Sequence, residues 1–456
     1  MLLWGPFKRR VLVLAVSFTF VCFTVLIWVL NRRSVDNASA EASYVRDSAQ
    51  VDPNPDVGLG AVAPADLLAE ADRITVSPIR RKQGKVLTYS AEDGERLTGS
   101  RPLAASSSCV VNQNVHAFYY PWYGSPRFDG HYYHWSHEIL QHWNAREAAK
   151  WPRGRHKPPY DLGSSFFPQL GAYSSRDGRV VEQHVRWLCE AGVGVLAVSW
   201  YPPGEADDQG APWDDIVPIL LDKAAPRGLK VTLHIEPYKN RSVETLRRDF
   251  RYILDKYGSH PAFYRLSGKP LYYVYDSYHI TVAQWKRLLT KRSGRLSIRG
   301  GELDALVLGL LVKGEDGKSL LRSGFDGFYT YFAADGFTFG STRAHWPKLA
   351  AFARKNKLLF VPSVGPGYND ERVRPWNGAN SRGRADGAYY GESWTSALST
   401  RPAVVSVTSF NEWHEGTQIE PAVPKTAKGH AYLDYSPRQP NFYLPLTAEF
   451  VAKMAL

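Results

Sequence analysis

Cysteine is scarce in this chain, with three in 456 residues at Cys22, Cys109 and Cys189, none close to another. That scarcity excludes a dense disulfide framework, a zinc ribbon and a redox CxxC site, so structural staples are not expected. Cys189 falls in an amphipathic stretch and reads as a small buried apolar residue. Long blocks of one charge sign are also missing. The densest basic runs, Arg80-Arg81-Lys82 and the arginines from Arg372 to Arg384, are short and mixed with Gly, Ser and Asp, so the net charge of +12 describes a solvated surface. RRM, KH and zinc-finger patterns are absent, and nucleic acid is not expected as a partner. No repeat of solenoid or propeller period occurs. With 44% hydrophobic and 13% aromatic residues, the chain is nevertheless able to bury a large core.

Long apolar runs are confined to one place. Val11–Leu30 has twenty residues without a charge, enough for a helix to cross the hydrocarbon core, and it follows Lys8-Arg9-Arg10. This predicts a signal anchor with residues 1–10 as a cytoplasmic tail and the large body in the lumen, a type II orientation. A signal peptide cut after Ala38-Ser39-Ala40 is the alternative; the length of the run and the intervening Arg32-Arg33 favour retention. Residues 31–114 are rich in Ala, Ser, Asp, Pro and Gly and read as a largely disordered stem. Asn37-Ala38-Ser39 is a candidate glycosylation sequon there, whereas Asn240-Arg241-Ser242 is expected to stay unmodified because it adjoins the cleft described next.

From Val115 to the C-terminus, short apolar runs alternate with helical patterns. Eight strands are predicted: Val115–Tyr120, Val195–Trp200, Lys230–Glu236, Leu271–Asp276, Ala305–Leu310, Gly327–Tyr331, Leu359–Val364 and Val404–Phe410. Amphipathic stretches separate most of them, at Val180–Glu190, Ile216–Ala225, Val243–Tyr257, Val282–Leu289, Thr342–Lys355 and Tyr389–Thr400, with Leu444–Ala455 after the last. The order predicts an α/β fold, a (β/α)8 barrel of the TIM type over residues 115–456 with one long insertion after the first strand. A doubly wound sheet shares the alternation. It usually has a Gly-rich phosphate turn after its first strand, where this chain has Pro121-Trp122-Tyr123-Gly124.

A barrel builds its active site where strands end. Aromatic and polar residues gather there: Tyr119-Tyr120, Ser199-Trp200-Tyr201, His234-Ile235-Glu236, Tyr275-Asp276, Tyr329-Thr330-Tyr331 and Ser409-Phe410-Asn411-Glu412-Trp413-His414-Glu415. Rings that stack on sugar C–H faces beside carboxylates that take hydroxyl protons suit a carbohydrate cleft. Glu412 and Glu415 are the sharpest pair. Three residues apart, they share a side only if a helical turn follows the eighth strand, and two close carboxylates are the usual equipment for glycoside cleavage. An isolated Glu-x-x-Glu is more often an exposed pair at a helix entry; the aromatic setting reverses that here.

These segments, together with Trp122-Tyr123-Gly124, Gly163-Ser164-Ser165-Phe166, Pro362-Ser363-Val364-Gly365-Pro366-Gly367-Tyr368 and the continuation through Gln418-Ile419-Glu420, resemble glycoside hydrolase family 99 over residues 115 to 445. The resemblance implies a retaining Golgi endo-α-1,2-mannosidase that needs no metal or cofactor, held in the membrane by a single helix. It implies cleavage of glucosylated high-mannose N-glycans on glycoproteins with release of a glucosyl-mannose unit. By the same likeness Glu415 is the general acid/base, and Glu412 is a base that activates the sugar's own 2-hydroxyl to give a 1,2-anhydro sugar. Tyr120, Trp200, Glu236, Tyr275 and Tyr331 are candidate sugar contacts from strand-end position and motif together. The histidines His131, His134, His137 and His142 are expected in a cleft wall or in loop packing. Asp207-Asp208 leaves open a rival, a nucleotide-sugar transferase with a metal site, and a lectin without catalysis is a third reading that two intact glutamates oppose.

Overall fold

Each apolar run forms a strand that is covered on both faces, as parallel sheets require; all eight residues of Val193–Trp200 are buried. The computed structural model describes residues 109–454. The expected tail, the Val11–Leu30 span, Asn37 and nearly all of the stem lie outside the described residues. Among the described residues, no helix is long and apolar enough to cross a membrane.

The barrel strands are β1 (Asn112–Tyr119), β2 (Val193–Trp200), β3 (Lys230–Ile235), β4 (Lys269–Val274), β5 (Leu306–Leu310), β6 (Gly327–Tyr329), β7 (Leu359–Val361 with Ser363–Val364) and β8 (Val405–Val407). Successive strands pair in parallel from β1 to the first half of β7; the second half of β7 pairs with β8, and β8 with β1. The ring therefore closes through a strand interrupted at Pro362, which has no N–H to give to a ladder. The intervening and final helices are α1 (Gly178–Glu190), α2 (Ile216–Ala224), α3 (Val243–Tyr257), α4 (Val282–Leu289), α5 (Asp316–Ser323), α6 (Trp346–Lys355), α7 (Ala388–Ser399) and α8 (Tyr443–Met454). Helix α3 shows why they dock. Ser242 and Thr245 cap it reciprocally, and Leu246, Phe250, Ile253 and Tyr257 form one buried stripe.

All eight expected strands are present; β1, β2 and β4 start two or three residues earlier than expected, β4 ends at Val274 rather than Asp276, and the ends of β6 and β8 are corrected. β6 stops at Tyr329, because Tyr331 takes a left-handed backbone, φ 48°, with its N–H donated to Ser363 Oγ at 2.8 Å. β8 stops at Val407 and leaves Thr408 to Glu420 as a loop. Helix α5 is an addition to the expected set; it has eight residues and buries only Gly317, Leu320 and Ser323.

The expectation about cysteine is overturned. Cys109 and Cys189 form a disulfide with Cα atoms 5.5 Å apart. They are 80 residues apart in sequence, and only the return of α1 to the start of β1 brings them together. The same corner is tied by Asn112 N–H to Gly192 O at 2.9 Å, and a Cβ on Gly194 would lie 2.4 Å from the Asn112 backbone.

Inside the barrel, aromatic and imidazole rings take the place of the usual branched aliphatics. Phe118 contacts Tyr273, Tyr329, Tyr331 and His234 at ring-centroid distances of 4.8 to 5.7 Å. Tyr273 Oη meets His116 Nδ1 at 2.7 Å, and Tyr329 Oη meets His234 Nε2 at 2.8 Å, so polar tips in a dry interior are paired.

Candidate active site

The C-terminal ends of the strands converge on a pocket of about 150 Å³, the space of roughly five waters and so on the scale of one sugar ring. The chain just beyond β1 supplies Tyr120 and Trp122, β3 and the residue after it supply His234 and Glu236, and the chain beyond β4 and β6 supplies Tyr275 and Tyr331. Loops add His134 and His137 from the β1–α1 insertion, Asp208 after β2, Val373 and Arg374 after β7, and Glu412, His414 and Glu415 after β8.

The loop after β8 carries the two glutamates into one pocket by the expected means, a turn from Trp413 to Gly416. Gly416 closes it with φ 59°, where an added Cβ would lie 2.7 Å from Asn369 O. Glu412 is 3% exposed; its Oε1 accepts the His414 N–H at 3.0 Å, and its buried Oε2 has no partner. An unpaired buried carboxylate oxygen on a pocket wall is costly unless a ligand donates to it.

The two carboxyls do not ionise independently. Burial first, and the Glu415 charge second, push Glu412 well above the usual carboxylate range, against the His414 N–H and the Arg374 charge. Glu415 is pushed up to about 7 by burial; Arg374 opposes the rise, and Asp370 and Glu236 add to it. The arginine is held in place by Asp370, which accepts its Nη1 at 3.2 Å. A carboxyl that holds its proton near neutral pH can act as a general acid.

The sugar-contact candidates divide. Tyr120, Glu236, Tyr275 and Tyr331 line the pocket. The hydroxyls of Tyr120 and Tyr331 bond to each other, Tyr275 packs on Tyr331 at 5.1 Å, and Glu236 accepts the Ser199 hydroxyl at 2.8 Å. Trp200 is placed elsewhere. Its indole N–H donates to Asp214 at 2.8 Å and its ring stacks on Tyr252, because Ser199 faces Glu236 and the next residue of a strand points to the opposite side.

His134 and His137 do form cleft wall, as expected, whereas His131 packs on Tyr133 at 4.0 Å. Trp122, Asp208, Arg374 and His414 were not among the expected contacts. Trp122 stood in a noted strand-end motif and His414 between the two glutamates; nothing local marked Arg374. His134, Asp207 and Asp208 offer donor atoms within 4.8 Å of one another. Asp207 is already engaged there by His134 Nε2 and the N–H groups of Gln209 and Ala211 at 2.9 to 3.0 Å, and by the Trp213 indole. Asp207 is thus a saturated acceptor that holds the insertion against the β2 loop, while Asp208 is exposed and approaches His134 and His137 only at 3.9 Å.

The model of glycosyl hydrolase family 99 matches residues 110–456. This chain belongs to glycosyl hydrolase family 99. The glycoprotein endo-alpha-1,2-mannosidase of Rattus norvegicus is 52% identical over 348 residues, 75% of each chain. The glycoprotein endo-alpha-1,2-mannosidase-like protein of Homo sapiens is 52% identical over 349 residues, 75% of this chain and 76% of that one. Among solved structures, the GH99 endo-alpha-mannosidase from Bacteroides thetaiotaomicron superposes with a TM-score of 0.71 at 43% identity, over 76% of this chain and 98% of its own. The family 99 match begins within two residues of the first described residue, so the pocket and the whole described barrel belong to the family's fold.

Proposed function

We propose that this family 99 chain is a retaining endo-α-1,2-mannosidase that cuts inside glucosylated high-mannose N-glycans and releases a glucosyl-mannose unit. The observation that carries the reading is the pairing, in one sugar-sized pocket, of Glu415 near neutral pKa with Glu412, whose Oε2 lacks a donor. The names of the relatives agree with it.

In an α-mannoside the axial O2 lies trans to the axial leaving group. A sugar O2–H donated to Glu412 Oε2 would supply the missing hydrogen bond and favour the ionised carboxylate. Glu412 then takes that proton as O2 attacks C1, the bond from C1 to the leaving oxygen breaks, and Glu415 protonates that oxygen. In the second step Glu415 takes a proton from water, the water oxygen bonds to C1, the C1–O2 bond opens, and Glu412 returns the proton to O2. Two inversions give retention. Tyr120, Tyr331, Tyr275 and Glu236 are the proposed ring and hydroxyl contacts, and no cofactor enters.

We place the body, residues 115–456, in the Golgi lumen, held by the 11–30 anchor and the 31–114 stem with residues 1–10 in the cytoplasm. The Cys109–Cys189 disulfide supports an oxidising compartment. One experiment tests the chemistry. With EDTA and no nucleotide sugar, the protein should release a glucosyl-mannose unit from the natural glycan, and an analogue bearing fluorine at C2 of the cleaved mannose should bind without turnover. Release that depends on a nucleotide sugar, or a stable ester on a Glu412 peptide by mass spectrometry, defeats the proposal.

A further inference from the structure

An internal cut leaves most of the glycan on the leaving-group side of the scissile bond, outside a pocket sized for one ring. Trp143, in the β1–α1 insertion, is 46% exposed. His142 stacks on it with ring centroids 3.7 Å apart and planes at 28°, and Trp376 meets both rings edge-on at 5.1 Å. A large ring surface kept in water by neighbouring rings has the form of a stacking platform.

The cluster is built onto the pocket. Leu140 N–H donates to Val373 O at 2.8 Å, and the Trp376 indole donates to Leu140 O at 3.0 Å. Val373 and Arg374 line the pocket, and the short 3-10 segment Pro375–Asn380 that carries Trp376 follows at once. Arg374 lines the pocket together with Glu412 and Glu415, and the next residues of the same segment carry Trp376, so the cluster extends the pocket wall toward the exposed Trp143 ring.

We propose that His142, Trp143 and Trp376 form a subsite on which a hexose of the leaving glycan stacks, an assignment that rests on the hydrolase reading above. The ligand is a pyranose face with its C–H groups toward the Trp143 ring, and the subsite selects for extended glycans rather than for the cleaved bond. Trp143→Ala, at an exposed position, and Trp143→Tyr are compared with the unaltered protein on two substrates. One is the full N-glycan; the other is a glucosyl-mannoside with a small aryl leaving group that ends at the pocket.

Trp143→Ala should lose about tenfold in kcat/KM on the full glycan, mostly through KM, as removal of one stacking contact implies. It should stay within about twofold on the aryl glycoside, and Trp143→Tyr should recover most of the loss. An equal loss on both substrates would mark a structural role, and no loss on the full glycan would remove the subsite; either overturns the proposal. If the unaltered protein cleaves neither substrate, the hydrolase reading itself fails and takes this one with it.

Discussion

A carboxyl buried beside other negative charge binds its proton more tightly in the folded chain than in the unfolded one, so the proposed acid Glu415 should tie the rate and the stability to the same residue. Glu415, at about 7, stays protonated in the folded state while its unfolded counterpart has ionised. Below the ordinary carboxylate range both states are protonated and nothing is lost; as pH rises toward 7 the folded state binds the extra proton, so stability falls, and above 7 the full cost is present. Glu415→Gln should therefore melt higher than the unaltered protein at pH 8, by an amount of the order of 2 °C, and match it at pH 4.5. Hydrolysis should fall by about 10²- to 10⁴-fold in the same variant, as loss of a general acid/base implies. In the unaltered protein, kcat/KM should decline as pH passes about 7. A melting difference of equal size at both pH values would mean that Glu415 does not titrate in that window. Of the residues around it, Glu412 and Glu415 were legible from their spacing and aromatic company. Trp200 misled because a strand's two faces alternate, and the sequence does not say which one looks inward.

The loop after β8 works as an element because its turn from Trp413 to Gly416 sets some side chains against the framework and others into the pocket. Asn411 bonds the backbone of Tyr120 through both ends of its amide, at 2.7 and 2.8 Å, and Trp413 donates its indole N–H to Glu420 at 3.0 Å and to Tyr173 at 3.2 Å. Glu420 is fully buried and also accepts the Tyr173 hydroxyl at 2.9 Å, with His184 Nε2 at 3.2 Å. Glu412 and Glu415, on the other side, line the pocket. Small displacements at a reacting centre are expensive, so loss of this anchor should show in the turnover number. Trp413→Phe and Glu420→Leu should each lower kcat by about tenfold with KM within about twofold, and the double variant should be no worse than the poorer single one, because both remove the same contact. Additive losses, or losses that only follow the unfolded fraction, would show that the two residues do not act as one anchor. The strand ends were legible as clusters because barrel chemistry collects there. What Glu420 does was not, since its partners Tyr173 and His184 are brought to it only by the fold.

At the scale of the whole molecule, the disulfide and the pocket lie at opposite ends of the barrel. Cys109 precedes β1 and Cys189 closes α1 just before β2 begins, whereas every pocket residue comes from beyond the strands' C-terminal ends or from β3 near its end. Closing an 80-residue loop restricts the unfolded chain by about 4 kcal/mol in the chain-entropy description, and no part of that restriction reaches the reacting groups. Cys189→Ser should therefore lower the melting temperature by several degrees, of the order of 5 °C, and leave kcat and KM within about twofold. The full-length protein should carry the pair oxidised, visible as a mobility change on reduction, and should stay with membranes after a carbonate wash if Val11–Leu30 is retained as an anchor. Free thiols at both positions in freshly isolated protein would contradict lumenal placement, because the body would then have folded where disulfides do not persist. A changed KM in Cys189→Ser would contradict the separation of the two ends, since only a distortion passed along β1 to Tyr120 could produce it.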